Sequence, residues 1–95
     1  MRMMLRWTVP VEKGNAMIED GSMGTSIEAV MAKTKPEAAY FLAERGKLAG
    51  SVFFDLKEPA DIPRIAEILF RGGNADVEFV PVMNADDLKK ALGSL

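Results

Sequence analysis

The sequence predicts an α+β fold with the element order β-α-β-β-α-β and a short helix at the C-terminal end. Three observations support this prediction. Apolar and polar residues alternate over positions 2–9, apolar residues recur at helical spacing over positions 61–70, and two segments rich in apolar and aromatic residues flank Arg45-Gly46. In chain order these segments match the split βαβ arrangement of ferredoxin-like folds.

The first strand is predicted over residues 2–9, and Pro10 ends it. Residues 11–24 contain Gly14, Gly21 and Gly24 without sustained periodicity, which predicts a long loop. Connections longer than about 12 residues are commonly lids or binding loops. The loop is therefore the first candidate for a functional segment.

The next three elements are a helix and a hairpin. Thr25 followed by Glu28 matches a capping box, which predicts that the first helix begins there and ends before Pro36. Residues 38–44 and 48–56 are predicted to be the two antiparallel strands of the hairpin, joined by the turn named above.

The second helix has the clearest amphipathic pattern. Asp61 is the predicted N-cap, and Pro63 fits the first turn, where a missing N–H costs nothing. Gly72-Gly73 is the predicted stop. The apolar face is predicted to consist of Ile62, Ile65, Ala66, Leu69 and Phe70.

The C-terminal part supplies a last strand and a last helix. Residues 77–82 form the predicted fourth strand, and Pro81 places it at an edge or near a strand end. Asn84 and Asp87 then match a capping box that begins a short helix with apolar residues at 88, 91 and 92.

Composition limits the possible functions. The 95 residues predict one domain spanning 1–95, and 12 Lys+Arg against 14 Asp+Glu give no basic excess for binding nucleic acid. With no Cys and no His, we expect no disulfide, no metal site and no cofactor. No segment is long enough and apolar enough for a membrane span, and none has the uninterrupted apolar core of a signal peptide. We therefore expect a cytoplasmic protein without membrane partners.

The predicted topology leaves one face of the sheet without helices. Its first and third strands are central, and apolar residues are predicted on both faces of them. The simplest cover for the second face is the same sheet of another copy, which predicts a homodimer. The residues predicted on this face are Met4, Arg6, Thr8, Ser51, Phe53 and Asp55.

The chain contains the segments Lys35–Phe41, Phe53–Leu56, Asp61–Pro63, Ala66-Glu67, Val77–Phe79, Pro81–Asn84 and Asp87-Leu88. These segments resemble a family of short bacterial proteins of unknown function within the dimeric α+β barrel superfamily. The resemblance implies a βαββαβ monomer whose sheet pairs with that of a partner to form a barrel. Relatives of this architecture include cofactor-free monooxygenases, muconolactone-isomerase-like enzymes and haem- or chlorite-handling proteins, and the lack of His argues against the haem branch.

Five residues are candidates for ligand binding. Arg6 and Asp55 are expected to meet on neighbouring parallel strands, either as a buried structural ion pair or with Arg6 available for an anion. Trp7 and Tyr40 fit either a pocket or a packed core or interface. Asp20, in the predicted loop, is either an acid–base group or a solvated surface carboxylate.

Two functional hypotheses follow. The first is a homodimeric domain, either purely structural or binding a small, largely apolar molecule between sheet and helices, with the loop 11–24 as its lid. The alternative is a cofactor-independent enzyme, similar to the monooxygenases or muconolactone isomerases, that acts on a small aromatic or lactone substrate. The sequence assigns no reaction, because no group of residues satisfies the geometry of a known type of active site.

Overall fold

Four strands and four helices form an α+β fold with one antiparallel sheet, and the computed structural model describes residues 1–95. The elements are β1 (Arg2–Val9), α1 (Val11–Asp20), α2 (Ser22–Thr34), β2 (Ala38–Glu44), β3 (Lys47–Asp55), α3 (Asp61–Gly73), β4 (Asp76–Pro81) and α4 (Ala85–Leu92).

The strand order is β2-β3-β1-β4, so β1 and β3 are central, as predicted. Every neighbouring pair is antiparallel. The expectation that β1 and β3 run parallel is therefore wrong, and their register places Arg2 opposite Asp55 and Trp7 opposite Gly50. Pro81 ends the edge strand β4, where its missing N–H removes no ladder bond from the sheet interior.

The β2–β3 hairpin is confirmed. Arg45 and Gly46 both have positive φ, 51° and 78°, which is the backbone of a type I′ turn. The twist of this turn matches the right-handed twist of the flanking strands, so Glu44 pairs directly with Lys47.

The predicted loop over residues 11–24 is wrong, because this segment consists of α1 and the first turn of α2. Gly14 is buried inside α1, and a Cβ there would lie 3.1 Å from Leu48 Cδ1. Its role is to let α1 approach β3 closely. Gly21, with φ of 80°, is the left-handed residue that ends α1 and precedes α2. The capping box at Thr25 is also wrong, since α2 already begins at Ser22.

The last two helices agree more closely with the elements predicted from the sequence. Asp61 is the first residue of α3 rather than its N-cap, and Phe70 is exposed although its apolar spacing predicted burial. The capping box of α4 is confirmed, with the Asp87 N–H donating to Asn84 Oδ1 and the Asn84 N–H donating to Asp87 Oδ2. No residue of α4 is buried.

The core lies between α1–α3 and one face of the sheet, which we name the covered face. It contains the odd-numbered residues of β1, which alternate with half-buried even-numbered residues. This assignment agrees with the prediction that Met4, Arg6, Thr8, Ser51, Phe53 and Asp55 lie on the other face. The principal side chains of this core are Met3, Leu5, Trp7, Val9, Met17, Val30, Val52, Phe54, Leu56, Ile65 and Leu69.

The opposite face, which we name the open face, has none of these three helices above it. It combines an apolar centre with charged residues towards both ends. No helix of the structure is both long enough and apolar enough to cross a membrane. By strand register the open face contains Arg2, Met4, Arg6, Thr8, Ala38, Tyr40, Leu42, Glu44, Lys47, Ala49, Ser51, Phe53, Asp55, Asp76, Glu78 and Val80.

Candidate functional site

Two concavities lie at the end of the sheet where β1 finishes, and they meet at Trp7. The smaller, which we name the apolar groove, has a volume of about 280 Å³ and lies at the margin between the sheet and α2. All nine of its lining residues are apolar: Trp7, Val9, Met23, Ile27, Phe41, Leu42, Ala43, Leu48 and Ala49.

Trp7 is the central side chain of this region. Its indole ring lies directly over Gly50 on the neighbouring strand, where a Cβ atom would clash with Cζ2 and lie 2.6 Å from Cη2. Phe41 packs on the other side of Gly50 with its ring edge-to-face against Trp7, at a centroid distance of 6.2 Å and an angle of 63°. Gly50 therefore permits the aromatic pair that forms the wall of the groove.

The predicted lid is replaced by a helical wall. Met23 and Ile27 lie one turn apart near the start of α2 and line the groove from the helix side. Met23 is the only residue of the segment 11–24 that lines it. The segment thus contributes to the site through a regular helix, and the long loop proposed as its cover does not exist.

The larger concavity, which we name the polar basin, has a volume of about 650 Å³ and opens onto the open face. Arg6 Nη2 donates to Glu44 Oε1 at 2.6 Å across its centre, so these two charges neutralise each other. The remaining charges are Arg45 and Lys47 near the hairpin turn and Asp76 and Glu78 on β4. The lining residues are Arg6, Trp7, Thr8, Glu44, Arg45, Lys47, Asp76, Val77 and Glu78.

The predicted ion pair between Arg6 and Asp55 is wrong. Because β1 and β3 are antiparallel, Arg6 lies opposite Ser51, and Asp55 lies at the far end of β3. The Asp55 carboxylate instead binds the Met1 ammonium at 2.7 Å and Lys57 Nζ at 2.6 Å. Hydrogen bonds from these two cations, that of Lys57 first, lower the pKa of Asp55 to about 2.

Asp20 lies in neither concavity. Its Oδ1 accepts a hydrogen bond from the Ser22 N–H at 2.8 Å, which satisfies an otherwise free amide at the start of α2. Hydrogen bonding to the Ser22 side chain and backbone, with Lys13 nearby, lowers the pKa of Asp20. Its structural role is to stabilise the junction between α1 and α2.

Tyr40 lies on the open face and is 64% exposed, so it is neither a core residue nor part of the apolar groove. By register it flanks Ser51, which in turn lies opposite Arg6. The structure therefore brings together only Arg6 and Trp7, which both line the polar basin. Tyr40 lies two strands away from Arg6, and Asp20, Tyr40 and Asp55 line neither concavity.

Sequence reasoning missed most of the groove. Phe41 and Leu48 alternate with open-face residues along their strands, so strand periodicity could have placed them beside Trp7. Met23 has no such signal, because the sequence predicts a loop over residues 11–24. Comparison with known proteins adds no assignment: no protein-family model and no curated protein sequence matches this chain.

Proposed function

We propose that this chain is a homodimeric domain of the ferredoxin-like, dimeric α+β barrel type, and that it binds a small, largely apolar molecule in the apolar groove. The groove carries the ligand part of the proposal. Its nine lining residues are all apolar. Its volume of about 280 Å³ is just below the range of about 300–1,000 Å³ that is typical of ligand sites, so it fits only a small molecule.

The dimer is supported by the open face. Met4, Phe53 and Val80 lie side by side at the centre of the sheet, and Tyr40 and Leu42 extend this apolar surface to the edge strand β2. An antiparallel sheet with an apolar second face commonly packs on another sheet, about 10 Å away. An isologous contact with a second copy satisfies this requirement in both chains at once.

Binding is favoured over catalysis because no side chain that lines the groove can accept or donate a proton at neutral pH. Arg6 and Glu44 lie in the adjoining basin, beyond Trp7, and they already bind each other. The enzyme hypothesis requires a substrate that reaches from the groove to these two residues.

The test combines native mass spectrometry with the fluorescence of Trp7, which is the only tryptophan in the chain and lines the groove. Protein purified under mild conditions is expected at about twice the chain mass of 10.4 kDa, with a small adduct retained. Toluene and γ-butyrolactone, as an aromatic and a lactone probe, are then titrated against Trp7 emission.

We expect toluene to change Trp7 emission saturably. Ala43→Phe, which fills the groove, should weaken binding at least about 10-fold, whereas Ala32→Phe on the exposed side of α2 should not. Absence of both an adduct and a saturable response would contradict the ligand proposal. A monomer at all accessible concentrations would contradict the dimer.

A further inference from the structure

The two edges of the sheet differ in how they are protected against pairing with another strand. On the edge strand β4, Asp76 and Glu78 are exposed carboxylates, and Pro81 ends the strand. Charged side chains and proline are common devices that keep a sheet edge from pairing. Two β4 strands paired antiparallel would also bring these carboxylates against those of the other copy, and like charges directly opposite each other are destabilising.

The edge strand β2 has neither device in its first six residues. Residues 38–43 contain no charge and no proline. Three consecutive large apolar side chains protrude from the two faces of this strand, since Tyr40 is 64% exposed, Phe41 52% and Leu42 46%. An exposed apolar edge of this kind is a template for pairing with another strand. The sheet can therefore be extended at β2 but not at β4.

Three residues of β2 have unpaired backbone groups at this edge. In a two-residue hairpin, the pair next to the turn exchanges both N–H···O bonds, and here this pair is Glu44 and Lys47. Hydrogen-bonded and non-hydrogen-bonded pairs alternate along an antiparallel ladder, so the even-numbered residues of β2 bond to β3. The N–H and C=O groups that point to the free edge are those of Ala39, Phe41 and Ala43.

We propose that β2 pairs antiparallel with β2 of a second copy of this chain, with Phe41 opposite its own counterpart, so that two four-stranded sheets become one sheet of eight strands. The two-fold axis of this contact is perpendicular to the sheet. It leaves the open face of each copy accessible for the stacking proposed above. The pairing therefore goes beyond the stacked dimer and does not depend on it.

The register follows from the residues at the edge. A two-fold axis perpendicular to the sheet keeps the faces of both copies aligned, so residues of the same parity lie opposite each other. With Phe41 opposite Phe41, Ala39 of each copy lies opposite Ala43 of the other, and three pairs form, each with two N–H···O bonds. Moving the axis by one residue along the strand leaves two such pairs, because Ala43 or Ala39 then lies opposite a residue outside β2.

The charges at the two ends of β2 are complementary in the same register. Glu37 precedes the strand and Arg45 follows it, so the pairing brings Arg45 of each copy opposite Glu37 of the other. Both side chains lie towards the open face, since Glu37 binds Arg2 and Arg45 lines the polar basin. Arg45 belongs to no ion pair within its own chain. Exposed ion pairs add little affinity, but they favour one register over others.

The apolar side chains of the strand match as well. Phe41 meets its counterpart on the covered face, and Tyr40 of each copy lies opposite Leu42 of the other on the open face. Side chains directly opposite each other in an antiparallel pair lie about 4.5–5.5 Å apart at Cβ, and aromatic pairs stabilise such contacts. The pairing therefore buries the three side chains that are exposed in the single chain.

The pairing also adds a wall to the apolar groove. Phe41 and Ala43 line the groove on its exposed side. In the extended sheet, Ala39 and Phe41 of the second copy lie beside them on the same face. The second copy then contributes side chains to the ligand site and enlarges it towards the volume typical of such sites. This step alone rests on the proposed function.

The experiment reads the register by disulfide cross-linking, because the chain contains no cysteine of its own. Phe41→Cys places two thiols on residues whose Cα atoms are about 5.5 Å apart, which suits a disulfide. Ala39→Cys and Ala43→Cys are matched controls, because each residue lies about 14 Å from its own counterpart. Under mild oxidation, Phe41→Cys should form a covalent dimer at least about 10-fold faster than either control, measured by intact mass.

A double variant tests the same register with Phe41 in place. Ala39→Cys with Ala43→Cys in one chain should cross-link about as fast as Phe41→Cys, because residues 39 and 43 of opposite copies are then neighbours. This variant decides the question if Phe41→Cys does not fold by circular dichroism.

Charge at the two-fold axis provides the second readout. Phe41→Lys and Phe41→Glu should each lose the association beyond the stacked dimer, because like charges then lie directly opposite each other. An equimolar mixture of the two variants should restore it. Sedimentation equilibrium at up to about 0.5 mM protein measures this step, since small interfaces are commonly weak.

The outcomes separate this contact from the stacked dimer. Phe41 lies on the covered face, so stacked open faces do not bring residue 41 of two copies together. Cross-linking of Phe41→Cys and of the double variant no faster than the single controls, or a charge mixture that associates no better than either variant alone, overturns the pairing of β2. If Phe41→Lys is monomeric at every concentration while Phe41→Cys cross-links as expected, the pairing of β2 stands and the stacked dimer is contradicted.

Discussion

The two faces of the sheet are formed by the same strands, but helices cover only one of them. On β1, Leu5 is fully buried beneath the helices, whereas its neighbour Met4 is half-buried on a face with no helix above it. Both positions are apolar, and strand periodicity alone treats them alike. The difference shows that helix placement decides which face becomes the core, and the remaining apolar face is available for assembly.

The largest expected effect separates these two neighbours. Leu5→Ala should lower the free energy of unfolding by about 2–5 kcal/mol, because it leaves a cavity in a closed core. Met4→Ala should change the stability of the monomer by less than about 1 kcal/mol and act mainly on dimerisation. Urea denaturation at several protein concentrations measures both terms.

If Met4→Ala destabilises the monomer as much as Leu5→Ala does, the open face is part of the monomer's core and the difference between the two faces is wrong. A cost for Met4→Ala that grows with protein concentration would instead place this side chain in the contact between two open faces.

A second prediction concerns the contact between Gly50 and Trp7 on the covered face. Gly50→Ala should destabilise the protein by about 1–3 kcal/mol, because the new methyl group overlaps the indole ring. In a Trp7→Leu background the same change should cost less than half as much, since the ring is absent. A double-mutant cycle with chemical denaturation measures this coupling. Additive costs would show that the glycine is needed for another reason.

How much the sequence could predict depends on whether a signal is local. The Arg45-Gly46 turn and the Asn84–Asp87 capping box depend on adjacent residues, and the structure confirms both. The sequence predicts a loop at Gly14, whereas the structure places this residue in α1. A glycine is needed there because α1 must approach Leu48 closely, which is a tertiary contact. Glycine spacing alone does not distinguish close helix packing from a flexible loop.

The candidate site shows the same limit. The type and strand position of Trp7 predict either a pocket or a packed core, whereas Met23 joins it in the groove only because α2 packs beside the hairpin. The direction of strand pairing is likewise not encoded in a single strand. Assuming parallel strands brought Arg6 to Asp55, and the antiparallel register separates them by four positions along β3.

The smallest expected effect tests this corrected pairing on the open face. Arg6→Leu removes an ion pair whose side chains are 43% and 33% exposed, so the free energy of unfolding of the monomer should fall by no more than about 1 kcal/mol. The buried pair expected from the sequence would instead cost about 3–5 kcal/mol on losing one partner. Chemical denaturation of Arg6→Leu, Glu44→Gln and Asp55→Asn, singly and in pairs, distinguishes the two arrangements. Coupling between Arg6 and Glu44 with additivity between Arg6 and Asp55 is the result that antiparallel pairing requires, since residues without contact or shared partners contribute independently.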